Sequence, residues 1–116
     1  MSTTCTALIV PARLSQPVHI ETIYASLATL QTLVEGNIEA ITRGDWHAYL
    51  NEEGKIIHLP PNIRAGHLLR ETGLYLAAIF CGNVVFLGEG DHGAEADAPE
   101  YLIRLAEELF DTQLAA

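Results

Sequence analysis

Basic residues are scarce in this chain of 116 residues. Six lysines and arginines stand against fifteen acids, for a net charge of −9. Sequence-independent binding to nucleic acid needs several phosphates neutralised by cations, so direct nucleic-acid contact drops out of the expected partners. Cysteine is as sparse. Cys5 and Cys81 are far apart and fit no metal-ligand or redox spacing. The sequence predicts two reduced thiols, buried in strands, in a cytoplasmic protein. No apolar run approaches the roughly 20 residues that a membrane span needs, so no membrane partner is expected. The opening MSTTCTALIVPARLSQ has a short apolar core with no basic segment ahead of it, which argues against a signal peptide. Absent too are the phosphate-loop lysine motif, G-x-G-x-x-G, a serine elbow and any cysteine–histidine pair at a recognisable spacing. No cofactor and no catalytic residue are expected, and the balance leans against an enzyme.

Apolar residues are what the chain has in abundance. They make up 49% of it, and the mean hydropathy is positive. That is rich for a soluble monomer, and burial of the surplus between subunits points to a homodimer. The length fits one domain, residues 1–116, large enough to bury a core without disulfides or metals. The acids are unevenly placed. Residues 71–116 hold nine of them against Arg104 alone, whereas residues 1–70 are nearly balanced. An acidic end of this kind favours solubility; its sharper alternative is mimicry of a polyanion on a basic protein surface.

Pattern divides the chain into elements. TCTALIVPA is a β-branched run stopped by Pro11, which predicts a first strand. Residues 14–25 are ambiguous. Ser26 suits the N-cap of a helix through LATLQTLVE, with Leu27, Leu30, Leu33 and Val34 on one face and Gly36 closing it. IEAITR and WHAYLN then alternate as strands, joined by a turn at Gly44 and Asp45. The Arg43-Gly44-Asp45 tripeptide spells an adhesion motif, but here it reads as that turn. Asn51 to Gly54 reads as a reversal into a third strand, KIIHL, ended by Pro60. Asn62 suits the cap of a short helix closed by Gly73. LYLAAIFCGNVVFLGEG reads as one long buried strand bulged at Gly82, or else a hairpin turning at Cys81 to Asn83. Residues 88–98 form an acidic, glycine-rich loop. Asp97 caps a last helix over about 98–113, with Pro99 in its first turn and Leu102, Leu105, Ala106, Leu109 and Phe110 as its buried stripe. The sum is an α+β fold: a single domain whose mostly antiparallel sheet of about five strands is covered by about three helices.

Four of these stretches, LATLQTLVEGNIEAI, NEEGK, LPPNIRA and FCGNVVFLG, together resemble the small proteins of the domain-of-unknown-function family number thirty-eight forty-six. These occur in phages, plasmids and actinobacterial genomes. The resemblance covers about residues 4–88. It implies a small cytoplasmic accessory protein of a mobile element or its host, and it brings no activity, cofactor or catalytic residue.

Few residues are placed to carry chemistry. Glu52 and Glu53 are neighbours, which point apart on an extended chain and suit a solvated turn. The histidines, His19, His47, His58, His67 and His92, make no close pairs of the kind metal sites use. From Glu89 onward, acids or glycine recur where calcium loops place ligands. Ala94 replaces the sharp-turn glycine, however, and a strand precedes the loop, so no metal site is expected. The candidate ligand-binding set lies around the start of the helix after Asn62. There the free N–H groups and the helix dipole attract anions. Asn62 and Arg64 form its tip, Lys55 and Arg43 supply charge, and Trp46 and Tyr49 supply rings. Two functions follow. The favoured one is a non-enzymatic binding module that engages a host protein or its own copy. The alternative is a binder or sequesterer of a small anionic ligand such as a nucleotide signal. A third reading, an enzyme pairing His58 or His67 with an acid, has less behind it.

Overall fold

Val84, Val85, Phe86 and Leu87 are all fully buried, so the strand they form must have apolar layers on both sides. The computed structural model, which describes residues 4–74 and 79–114, builds those layers. In chain order its elements are β1 (Thr4–Val10), β2 (His19–Tyr24), α1 (Leu27–Val34), β3 (Ile38–Arg43), β4 (Trp46–Asn51), α2 (Ile63–Glu71), β5 (Val84–Glu89), β6 (Glu95–Ala96) and α3 (Glu100–Phe110). The strands lie in the order β2-β1-β5-β4-β3, every pairing is antiparallel, and β6 adds to β5.

Register makes the alternation of side chains continuous across the sheet. Ile20, Leu8, Phe86, Ala48 and Ile41 are successive cross-strand partners, one from each strand. This row packs under α2 and α3, against Ala65, Leu68, Leu69, Leu102, Ile103 and Ala106. One residue along, Ile9, Val85 and Tyr49 form the matching row on the opposite face, beneath Leu30 and Val34 of α1. A central sheet thus separates one helix from a pair. Each of the larger side chains taken from water in these layers contributes about 1.5–3 kcal/mol.

Several predicted elements are present as expected. Pro11 ends β1, and the Ser26 side chain accepts from Thr29 N at the start of α1. Gly44, at φ 60°, turns β3 into β4. In α3, Leu102 and Ala106 are buried, and Leu105, Leu109 and Phe110 pack on the same core. Elsewhere the structure departs from expectation. The left-handed residue closing α1 is Glu35, with Gly36 extended beyond it. The cap of α3 is Pro99, while Asp97 accepts from Thr6 N and ties the approach of α3 to β1. The acidic loop is ordered: β6 pairs back on β5 around a single 3-10 turn, Asp91–Gly93.

The largest departure is at NEEGKIIHLPPN. KIIHL is not a strand, and Asn51 to Gly54 is not a hairpin reversal. Residues 53–59 wind into a helical turn instead: Ile57 N donates to Glu53 O, His58 N to Lys55 O and Leu59 N to Gly54 O. The last two bonds, with His58 at φ 61°, are those of a left-handed helix terminus. Gly54 is required here for closeness rather than for a positive φ, because a Cβ at that position would run into the Cys81 carbonyl oxygen. The chain then extends, and Pro61 bridges Cys81. The late apolar run is neither a hairpin nor a single long strand. Gly82 bends it at φ 98°, and β5 starts only at Val84. Residues 75–78 of that expected strand lie outside the described residues.

Asn62, 2% exposed, locks this junction. Its amide nitrogen donates to Val10 O (2.7 Å) and Gly82 O (3.0 Å), and its oxygen accepts from Ala65 N (2.9 Å). Asn62→Ala leaves all three groups buried and unpaired, for an expected loss of about 2–4 kcal/mol on urea unfolding. The exposed cap variant Ser26→Ala should lose about 1 kcal/mol or less. Equal losses from the two would overturn the ranking.

Candidate binding surface

The six residues of the predicted ligand site do not come together. Asn62 is buried and its side chain is occupied as described. Arg64 reaches back across the molecule: its Nη2 donates to the carbonyls of Pro11 (2.7 Å), Arg13 (3.1 Å) and Gln16 (2.7 Å). That guanidinium holds the β1–β2 connection, and burial lowers its pKa. Its acidic neighbours in sequence are not its partners. Trp46 and Tyr49 are three residues apart on a strand, so they point to opposite faces. Trp46 is 2% exposed and tilts against Phe86 in the core, with ring centroids 5.7 Å apart. Arg43, exposed at the end of β3, lies over Gly73. Lys55 lines a cleft.

Tyr49 instead joins a polar network at the β4–β6 side of the sheet. Its hydroxyl donates to Glu95 Oε2. His47, on the same face, has its ring centroid 6.1 Å from that of Tyr49 and its Nε2 3.9 Å from Glu95 Oε1. Thr42 Oγ1 lies 3.0 Å from the other ring nitrogen. Glu95 Oε1 is buried and has no hydrogen-bond partner. Burial, then the bond to Glu95 and its charge, push the Tyr49 pKa well above the ordinary tyrosine value. Parity along β4 put His47 and Tyr49 side by side in the sequence. Glu95, from a loop expected to be solvated, carries no local signal of its role. Among the described residues, no group of three or more histidines, cysteines and acids gathers to hold a metal.

The remaining candidate histidines lie elsewhere. His67 Nε2 sits 3.7 Å from Glu71 Oε1 on the outside of α2, both side chains about half exposed. His58 lines a shallow depression with Lys55, Leu59, Pro60, Pro61, Ile79 and Cys81, and no acid lies among these residues. In the adhesion-like tripeptide, Asp45 accepts from the Tyr101 hydroxyl at 2.6 Å, so its carboxylate ties the turn to α3.

The surface that stands out was missed by motif reasoning. The wound turn carries Ile56 and Ile57 outward, 73% and 49% exposed, and Ile79 beside them is 65% exposed. Ile56 and Ile79 border a cleft of about 280 Å³, lined by Leu50, Phe80 and Cys81 within and by Glu39, Glu52, Glu53 and Lys55 at polar positions. One backbone bond and one side-chain bond fix the turn at its base, where Glu52 N donates to Asn37 O (2.8 Å) and Glu53 N to Asn51 Oδ1 (2.7 Å). The signal was the adjacent Ile56-Ile57 pair, which the expected strand would have half buried.

The Tyr49 network makes a prediction at alkaline pH. The folded state holds the Tyr49 proton more tightly than the unfolded chain does. Its contribution to stability is therefore complete below the unfolded value of 10 and declines as pH rises beyond it. Tyr49→Phe should lose about 1–3 kcal/mol at neutral pH, because Glu95 is left buried with no donor. It should also flatten the alkaline fall measured by urea unfolding across pH. An unchanged alkaline slope in Tyr49→Phe would rule the network out as its source.

Comparison with known proteins places this geometry in a family. No curated protein matches the chain. Among solved structures, the crystal structure of small RNA methyltransferase HEN1 is similar in fold, with a TM-score of 0.56 at 16% identity. The likeness covers 90% of this chain and 16% of that one, so the chain spans a small part of that protein, and at this identity the likeness concerns the fold alone. Residues 5–111 match the family described as Domain of unknown function (DUF3846), a span that takes in the β5–β6 hairpin and α3 as well as the four motifs. The chain belongs to the DUF3846 family.

Proposed function

We propose that this chain is a non-enzymatic binding module, and that it engages a protein partner through the apolar tip formed by Ile56, Ile57 and Ile79. One observation carries the proposal. Ile56 and Ile57 stand exposed on a turn that backbone hydrogen bonds and the Gly54–Cys81 contact hold in place, and the exposed Ile79 lines the same cleft as Ile56. An exposed isoleucine adds nothing to the core, and clustered apolar surface on a folded domain marks contact sites. Rigidity matters as much as polarity. A turn already ordered before contact loses less conformational freedom on binding than a mobile loop would.

The site residues expected for a small anionic ligand support this reading by their occupancy. Asn62 and Arg64 already bond the backbone of their own chain, so the helix tip offers an anion few free donors.

Burying these side chains against a partner contributes up to about 1.5–3 kcal/mol each. The double variant Ile56→Ser, Ile79→Ser should therefore keep its folding stability while weakening a partner by about tenfold or more. A photo-crosslinking residue at position 57, in cells that make the protein, should give a discrete protein adduct. The same residue at position 112 should not, and the adduct from position 57 should vanish in the double variant. Identical adducts with and without the isoleucines would refute the proposal.

A further inference from the structure

The cleft beside the apolar tip has a charge bias that selects among partners. Glu39, Glu52 and Glu53 line it and are exposed, and Lys55 is the single basic residue among its lining. Among the described residues none of these three carboxylates is held in an ion pair, whereas Arg13, Arg104 and the acids facing them are. Inside the ring of charge the cleft is apolar, with Leu50, Ile56, Ile79 and Phe80. Its volume of about 280 Å³ admits one or two large side chains and little more.

Resting on the binding-module reading above, we infer that the occupant is a basic, apolar protein segment. One aliphatic or aromatic side chain enters the cleft, and flanking lysines or arginines meet Glu39, Glu52 and Glu53. The same charges disfavour a second copy of this chain at this face. A two-fold contact would set the three carboxylates of one copy against those of the other, between chains of net charge −9. A basic segment gains from the field that a second copy has to overcome. Complementary charge at the rim steers encounter and rejects wrong partners, while the apolar contact supplies most of the affinity.

Three synthetic peptides of equal length test this against the full chain: lysine alternating with leucine, lysine with serine, and glutamate with leucine. Binding is followed by backbone amide shifts in NMR spectra. The lysine–leucine peptide should shift amides of residues 50–56 and 79–81, and the other two should bind at least about tenfold more weakly. Replacing Glu39, Glu52 and Glu53 together by glutamine should weaken the lysine–leucine peptide by about tenfold, and added salt should do the same. If the glutamate–leucine peptide binds as well at the same amides, or the glutamine variant binds unchanged, the basic partner is wrong and the apolar face stands. If Ile56→Ser, Ile79→Ser leaves lysine–leucine binding unchanged, the face itself is wrong and the proposed function falls with it. Concentration-dependent dimerisation abolished by the same isoleucine variant would make the occupant a second copy and overturn the inference.

Discussion

The amide of Asn62 is the constraint on which the rest of this structure leans. It is one buried polar side chain in a junction otherwise made of backbone. It joins the end of β1, the first turn of α2 and the bend at Gly82 that leads into β5. Each of those three groups would be costly to bury unpaired. Satisfying them together places α2 over the sheet and sets where the late apolar run stops being a bridge and becomes the central strand. The same satisfaction removes Asn62 from any role in recognition. A helix cap that also holds two distant carbonyls has no free hydrogen-bonding group to offer a ligand.

Downstream of that junction, β5 divides the molecule. Its four fully buried residues face alternately toward the α2–α3 pair and toward α1. Alternation propagates along β4, so Trp46 belongs to one layer and Tyr49 to the other. An aromatic platform built from both was therefore ruled out by parity alone. On the α1 side, the strands leave a place where His47, Tyr49 and Thr42 meet a carboxylate from β6. That contact gives the acidic hairpin a partner on the sheet, together with the bond from Thr6 N to Asp97. The hairpin is ordered because two of its acids are bound.

The apolar tip follows from a different balance. Between β4 and the Pro60–Pro61 extension, the chain must cross from Asn51 to the Cys81 bridge in a few residues. A helical turn ending at left-handed His58 makes the crossing and leaves Ile56 and Ile57 outside. Gly54 allows the turn to lie against Cys81, so the apolar tip is held close to Ile79 and Phe80. Acids at the base of the turn and on β3 then surround an apolar depression.

Much of the fold was legible locally. Pro11, the Ser26 cap, the Gly44 turn, the Asn62 cap and the stripe of α3 each act over a few residues, where periodicity and capping chemistry decide. The family motifs lie in the same segments. The exposed apolar tip was not legible, because KIIHL has the composition of a strand and its helical winding is imposed by contacts with residues 80–82. Nor could local patterns show that Arg64 binds carbonyls about 50 residues away, or that Glu95 reaches Tyr49. By itself the sequence determined an α+β domain of antiparallel strands and three helices, its capped helix starts and its acidic character. Tertiary structure decided which polar groups were already bonded and which apolar ones remained in water, because those depend on partners distant in the chain that only folding brings near.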